Sequence, residues 1–212
     1  MNILGINQIP GMLSWMHDSS SSLVRDGKII ATAEEERFNR VRHYRGYPHK
    51  SQEYCLDAGN ISLKDVDFIA VPYSPYAFLK HPNFRLESFA RNVFNIIACW
   101  KYKQQMRNKT KAKVVYVPHH LAHAASAYYC SGFEKANILT IDGSGETESF
   151  ALFVGENGKI RRIWDIPLAS ILSKGKSRSI GLIYTSVTSL LNLGVNAEGK
   201  TMGLASFGKP TY

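Results

Sequence analysis

One local design is written twice in this chain, and few folds accommodate that. Ile3-Leu4-Gly5-Ile6-Asn7 is an apolar strand ending in a polar residue, and Ile138-Leu139-Thr140-Ile141-Asp142 repeats the pattern about 135 positions later. A polar, Gly-containing loop follows each, then an apolar strand, Ser20–Val24 in the first copy and Ser149–Val154 in the second. Each of these runs into a turn signal, Arg25-Asp26-Gly27-Lys28 or Glu156-Asn157-Gly158-Lys159, and a return strand, Ile29–Ala33 or Ile160–Ile166. Asp-Gly and Asn-Gly suit a two-residue hairpin because both of its central residues take positive φ.

The first copy is followed by a helix from Pro48 through Ala58 with Gly59 as its stop, and by a strand, Val66–Val71, closed by Pro72. A Pro- and aromatic-containing loop, Tyr73–Pro82, leads to a long helix, Phe84–Asn108. Its expected apolar face is Phe84, Phe89, Val93, Phe94, Ile97, Trp100 and Tyr102. Val114–Val117 is the next strand. After the second copy come a helix, Ile180–Leu191, and a Gly-rich segment, Gly194–Gly208. A strand, polar loop and hairpin used twice in an α/β chain is the form expected of the actin-like ATPase, ribonuclease-H-like folds, in which the hairpin loops of the two halves face each other around a phosphate. The expected lobes are residues 1–130 and 131–212, the second of them incomplete.

The junction of the two copies carries the densest chemistry, VVYVPHHLAHAASAYYCSGFEKANILTIDGSGE. Pro118 suits a helix start, since its missing N–H would have no partner there, and the helix is expected to run through Tyr129. His119 and His123 are one helical turn apart, so one face carries both rings. With Asp142 at the next strand end they make a donor set for one divalent ion with positions left open. Two familiar patterns do not fit. A zincin needs Glu directly after the first His, where this chain has His120. Gly175-Lys176-Ser177 resembles the tail of a P-loop, but the position that needs the first Gly is Ser170.

Composition excludes several classes. With 44% apolar residues in 212, the chain can bury a core as one large domain or two small ones. No secretory leader is expected at Met1–Ile6, the apolar runs fall short of a membrane span, and Cys55, Cys99 and Cys130 are too few and too scattered for a disulfide framework. A cytoplasmic protein is the expectation. The net charge of +9 gathers at Arg37–Lys50, Arg91–Lys113 and Lys159–Arg178. Solvated basic faces account for it better than a nucleic-acid site, because no reading motif and few stacking aromatics accompany the charge. Attraction of phosphorylated substrates is a further account.

HDSSSSLVRDGKIIATAEEERFNRVRH, PHHLAHAASAYY, LTIDGSGE and GKTMGLASFG, in that order and over nearly the whole chain, resemble the O-carbamoyltransferases of the nodulation and antibiotic-tailoring family. That resemblance implies a transferase domain similar to the universal tRNA threonylcarbamoyl transferase. It implies transfer of a carbamoyl group to a hydroxyl of a small-molecule acceptor such as an antibiotic or sugar. The donor is carbamoyl adenylate, made from carbamoyl phosphate and ATP by a separate C-terminal domain, and the transfer takes place near bound iron. His119, His123 and Asp142 match the family's metal ligands. Gly143, Ser144 and Gly145 follow on a loop whose small residues let backbone N–H groups approach a phosphate. His17 and Asp18 match the His-Asp pair near the transferred carbamoyl group, where His17 is either base to the acceptor hydroxyl or polariser of the carbamoyl oxygen. Arg42 stands where the family often has Lys, keeping the charge with a different donor geometry. Lys200 matches too, as a substrate contact or a loop cap. Glu34, Glu35 and Glu36 are expected to be structural, since three adjacent carboxylates cannot share one face.

The chain is shorter than the family's transferase domain, so the expectation is the N-terminal part of such an enzyme, or a short relative working with a second polypeptide. The later Asp expected as a fourth metal ligand and most of the adenosine pocket would then lie outside it, and turnover by these residues alone is expected to be undetectable. The competing classes are a non-catalytic module of the same fold and a tRNA-modifying threonylcarbamoyl-type transferase.

Overall fold

Strands β1 (Asn2–Asn7), β2 (Ser20–Arg25) and β3 (Lys28–Glu34) form an antiparallel meander, and β1 carries on its other side the parallel strands β4 (Phe68–Val71) and β5 (Lys113–Tyr116). The sheet order is β3-β2-β1-β4-β5, with β2 alone running against the rest. That is the ribonuclease-H-like topology. The computed structural model describes residues 1–12, 17–77, 86–167 and 179–209, which fall into two units, Met1–His119 and His120–Tyr212. The division falls at the first residue of helix α4 (His119–Ser131), so that helix is taken whole with the second unit.

In the second unit β6 (Lys135–Ile141), β7 (Glu148–Glu156) and β8 (Lys159–Pro167) repeat the meander. Both hairpins turn through two residues of positive φ, Asp26 and Gly27 at 49° and 79°, Asn157 and Gly158 at 53° and 69°, as an Asp-Gly or Asn-Gly turn requires. The likeness extends to an irregularity. Leu23 pairs with Ala31 and Val24 with Ile29, which leaves Ile30 as a bulge; Leu152 pairs with Trp164 and Phe153 with Arg162, which leaves Ile163. The partners on the first strands are Leu4 and Ile3 in one unit, Leu139 and Ile138 in the other. The bulge therefore sits at one register in both meanders, the register at which Ile3 matches Ile138. The fold is α/β and duplicated.

Burial differs between the copies. β1 buries Leu4 and Ile6, whereas β6 buries Ile138 and Thr140 and exposes Leu139 and Ile141. The phase follows the covering helix. Helix α2 (His49–Ala58) follows its meander in sequence and packs on β2 and β3, while α4 precedes β6 and shares a core of Ala124, Tyr128, Ile138, Ala151 and Phe153. Two short helices were not expected: α1 (Glu36–Asn39), and α6 (Glu198–Ala205) inside the Gly-rich segment. Helix α6 is anchored on α5 (Ile180–Leu190) by a 2.8 Å hydrogen bond between the Thr188 and Thr201 hydroxyls, both buried.

Helix α3 (Leu86–Lys109) corrects the expected apolar face. Phe94, Ile97 and Trp100 point outward, 56%, 42% and 60% exposed, and the buried side is Asn92, Asn95, Ala98, Cys99, Tyr102 and Met106. That set also has helical spacing. Two of its polar members are matched: Asn95 donates to the Tyr73 hydroxyl at 2.8 Å, and the Tyr102 hydroxyl lies 3.3 Å from that of Tyr47. The small Ala98 and Cys99 let the helix pack against the core with Ile9 and Met12. Phe84, the side chain of Phe89, the loop beyond Ala77, the basic residues after Pro167, Ser170 and Gly175–Ser177 lie outside the described residues.

The exchange of faces is measurable. Tyr102→Ala is expected to lower the unfolding free energy by about 3–5 kcal/mol, and Trp100→Ala to change it by less than about 0.5 kcal/mol. Urea titration followed by circular dichroism checks both, and equal losses would return Trp100 to the core.

Candidate functional site

In the first unit the C-terminal end of β1 organises a polar cluster. Asn7 Nδ2 donates to the carbonyl oxygens of His17 and Asp18 at 3.3 and 3.1 Å, holding a loop in which Asp18 takes a φ of 59°. Both oxygens of Asp18 are used. His17 Nδ1 donates to Oδ2 at 2.5 Å, and His43 Nδ1 donates to Oδ1 at 2.8 Å. Burial opposes ionisation of Asp18, but the hydrogen bonds from His43 and His17 outweigh it and hold the carboxyl below the usual range. The two rings meet edge to face with centroids 5.7 Å apart.

The acidic run explains how His43 arrives there. Glu36 Oε2 accepts from the backbone N–H of His43 at 2.9 Å, and buried Glu35 accepts from the N–H groups of Lys50 and Ser51 at 3.1 and 2.8 Å. Glu35 thus satisfies two of the orphan donors at the start of α2. Glu34 pairs with Arg37 at 3.3 Å. Ser19 completes the clasp: its N–H donates to Tyr44 O, and its hydroxyl lies 2.6 Å from Gly46 O. All three glutamates act structurally.

In the second unit His119 and His123 on α4 and Asp142 after β6 bring one donor atom each to within 4.8 Å of one another. His123 Nε2 lies 3.5 Å from Asp142 Oδ2. Two imidazoles and a carboxylate at that separation fit a divalent ion with open positions. The residue between the histidines has a different task. His120 is fully buried, with Nδ1 2.7 Å from the Thr140 hydroxyl and Nε2 3.2 Å from the Glu148 carbonyl oxygen. It therefore ties both ends of the loop that carries Asp142. Gly145 lies so close to that ring that a Cβ would come within 2.7 Å of it, which only glycine avoids.

The loop is held from three further sides. Gly143 N–H donates to Asp142 Oδ1 at 2.6 Å and Gly145 N–H to Glu148 O at 2.7 Å, so two of the N–H groups expected to face a phosphate are engaged within the loop. The Ser179 hydroxyl lies 3.0 and 2.8 Å from the carbonyl oxygens of Asp142 and Gly143. Glu148 is 2% exposed and meets Arg162 Nη2 at 2.6 Å. Burial would raise its pKa, but the Thr147 hydroxyl and Arg162 bring it below the ordinary carboxylate range.

His17 and Asp18 are brought together, as are His119, His123 and Asp142. Arg42 is exposed on the loop beside His43, Ser144 is exposed, and Lys200 Nζ donates to the Leu193 carbonyl at 3.1 Å. Sequence reading missed His43, which nothing in local spacing links to Asp18. Nor does the spacing show the buried role of His120 beneath the Asp142 loop. Cysteine chemistry is disfavoured at Cys99, whose thiol burial pushes up to about 11.

Residues 8–212 match the family model described as carbamoyltransferase N-terminus. The chain belongs to the carbamoyltransferase family. It is 36% identical over 206 residues to nodulation protein NolNO of Sinorhizobium fredii, covering 93% of this chain and 28% of that protein. It is 30% identical over 227 residues to the uncharacterized protein sll1178 of Synechocystis, covering 98% and 36%. The chain thus spans about a third of the length of these curated relatives. Among solved structures, YeaZ from Pseudomonas aeruginosa is similar with a TM-score of 0.45 and 17% identity, covering 82% of this chain and 71% of that one. At that level the fold assignment rests on the strand order itself. No helix among the described residues is long and apolar enough to cross a membrane.

His119→Ala and His123→Ala are each expected to remove most bound divalent metal, read by mass spectrometry and calorimetry, while exposed Ser126→Ala retains it. His120→Ala is expected to destabilise the chain by about 2–3 kcal/mol, because it leaves a cavity and removes the contacts to the Thr140 hydroxyl and the Glu148 carbonyl. Retained metal in both of the first variants would dismiss the ligand set.

Acid is expected to act through Glu148. Its folded-state pKa is depressed, so its contribution is present above the unfolded value of about 4.3 and is lost as pH falls through the folded one. Melting temperatures from pH 6 down to 3 should fall more steeply for wild type than for Glu148→Gln. Parallel curves would exclude the pair as a source of acid sensitivity.

Proposed function

We propose that this chain supplies the carbamoyl-transferring part of an ATP-dependent O-carbamoyltransferase. The donor is carbamoyl adenylate, made from carbamoyl phosphate and ATP, and the acceptor is a hydroxyl of a small molecule such as a sugar or antibiotic. The observation that carries this reading is the gathering of His119, His123 and Asp142 within reach of one ion, in a chain of this family. A divalent ion held there, iron or a similar metal, would supply Lewis-acid stabilisation of phosphate charge.

The chain's own residues do the rest. His120, Ser179 and the Glu148–Arg162 pair keep the Asp142 loop in place before any ion arrives. Asp18 accepts from His17 Nδ1, which fixes the tautomer and leaves Nε2 as a lone pair. That nitrogen, on a half-exposed ring, takes the proton of the acceptor hydroxyl as its oxygen bonds to the carbamoyl carbon. The bond from that carbon to the phosphate oxygen breaks, and AMP leaves with the electron pair. Of the two roles open to His17, the fixed tautomer favours the base.

Calorimetry with carbamoyl adenylate, the donor this part receives, tests the reading on the chain as purified and after chelation. Binding is expected with metal present, and His119→Ala or His123→Ala should weaken it at least about tenfold, as loss of a ligand does at comparable sites. Full binding after chelation and in both variants would overturn the metal's part, and no binding in any state would overturn the carbamoyl assignment.

A further inference from the structure

We propose that His43 is the residue that recognises the amino group of the carbamoyl donor. This rests on the carbamoyl-transfer reading above and adds a residue and a selectivity to it. The first observation is the shared carboxylate. Asp18 takes the Nδ1–H of both His17 and His43, so each ring is left with Nε2 on its far side as a hydrogen-bond acceptor.

The two nitrogens differ in surroundings. The His17 side chain is 43% exposed and that of His43 28%. Among the described residues, His43 Nε2 is the one buried side-chain polar atom with no hydrogen-bond partner. A buried acceptor left unpaired costs about 1–3 kcal/mol. The protein nonetheless holds this one in place at some expense. His43 takes a φ of 53°, an uncommon conformation for a residue with a side chain, as does Asp18 at 59°. Glu36 and Ser19 clamp the backbone on either side of it. A merely structural imidazole would not need its second nitrogen turned inward and unmatched.

A buried lone pair calls for a small donor, and the chemistry of the substrate supplies one. A carbamoyl group differs from an acetyl group in presenting –NH₂ where the other has –CH₃. An N–H of that amino group satisfies Nε2; a methyl group leaves it orphaned. Sites built around such a hydrogen bond reject the analogue that lacks the donor. The acceptor's hydroxyl is assigned instead to His17, the more exposed of the two rings. With centroids 5.7 Å apart, one small ligand can reach both. His43 is then a specificity residue.

The test compares carbamoyl adenylate with acetyl adenylate on the full chain by calorimetry. Wild type is expected to prefer carbamoyl adenylate by about tenfold or more, the equivalent of one such hydrogen bond. His43→Phe, which keeps a ring but no acceptor, should bring the ratio near one, and His43→Gln should restore part of it. Because the loop could be disturbed by substitution, the ¹⁵N resonance of His43 Nε2 in the unaltered chain gives a second reading. It should shift on adding carbamoyl adenylate and stay put with acetyl adenylate. An undiminished preference in His43→Phe, or equal responses of Nε2 to both compounds, overturns the role of His43 while leaving carbamoyl transfer standing. Failure of wild type to bind carbamoyl adenylate at all overturns both.

Discussion

The structure depends on the register between the first strand of each unit and the hairpin beside it. In that register Leu4 lies opposite Leu23 and Leu139 opposite Leu152, which brings Asn7 and Asp142 to matching places at the ends of β1 and β6. Each then works on the loop that leaves the strand. Asn7 ties down the backbone of His17 and Asp18, while Asp142 turns a carboxylate toward His123. A slip of one residue would send both side chains to the other face of their sheets. The chemistry of both clusters is therefore a consequence of strand pairing.

Carboxylates and one imidazole do most of the positioning. Glu35 fastens the start of α2, Glu36 holds the backbone of His43, and Asp18 orients two rings. In the second unit His120 and Glu148 are buried beneath the Asp142 loop, and each has its charge or hydrogen bonds matched. Interior groups of this kind lose most when one partner is removed. The unpaired Nε2 of His43 stands out against that background of satisfied contacts.

Much of this was legible from residue order. The two hairpins announced themselves through Asp26-Gly27 and Asn157-Gly158, and the His119–His123 pair through helical spacing. Other features were not legible, for physical reasons. Helix α3 carries two stripes of suitable period, and the more apolar one faces outward because the other offers small residues and matched polar groups to the core. Helix α6 tolerates Gly199 and Gly203 because a buried threonine contact to α5 holds it. His43 is distant in sequence from Asp18, and only the folding of the basic loop brings them together. His120 reads as a spare neighbour of two ligands until its burial is known.

The matched bulges at Ile30 and Ile163 carry an implication for how this chain tolerates change in length. An extra residue on one strand resets the alternation of side chains beyond it, so the strand segments on either side of the bulge are out of step by one. Deleting Ile30 would bring Ile29 and Ala31 next to each other opposite Val24 and Leu23, a regular ladder in which every remaining residue keeps its partner and its side. Added residues at the tip, between Asp26 and Gly27, would leave the paired segments in phase. Length can thus vary at the hairpin tips and at the bulge itself without moving a paired residue to the other face, whereas a residue added or lost elsewhere along a strand inverts what lies beyond it.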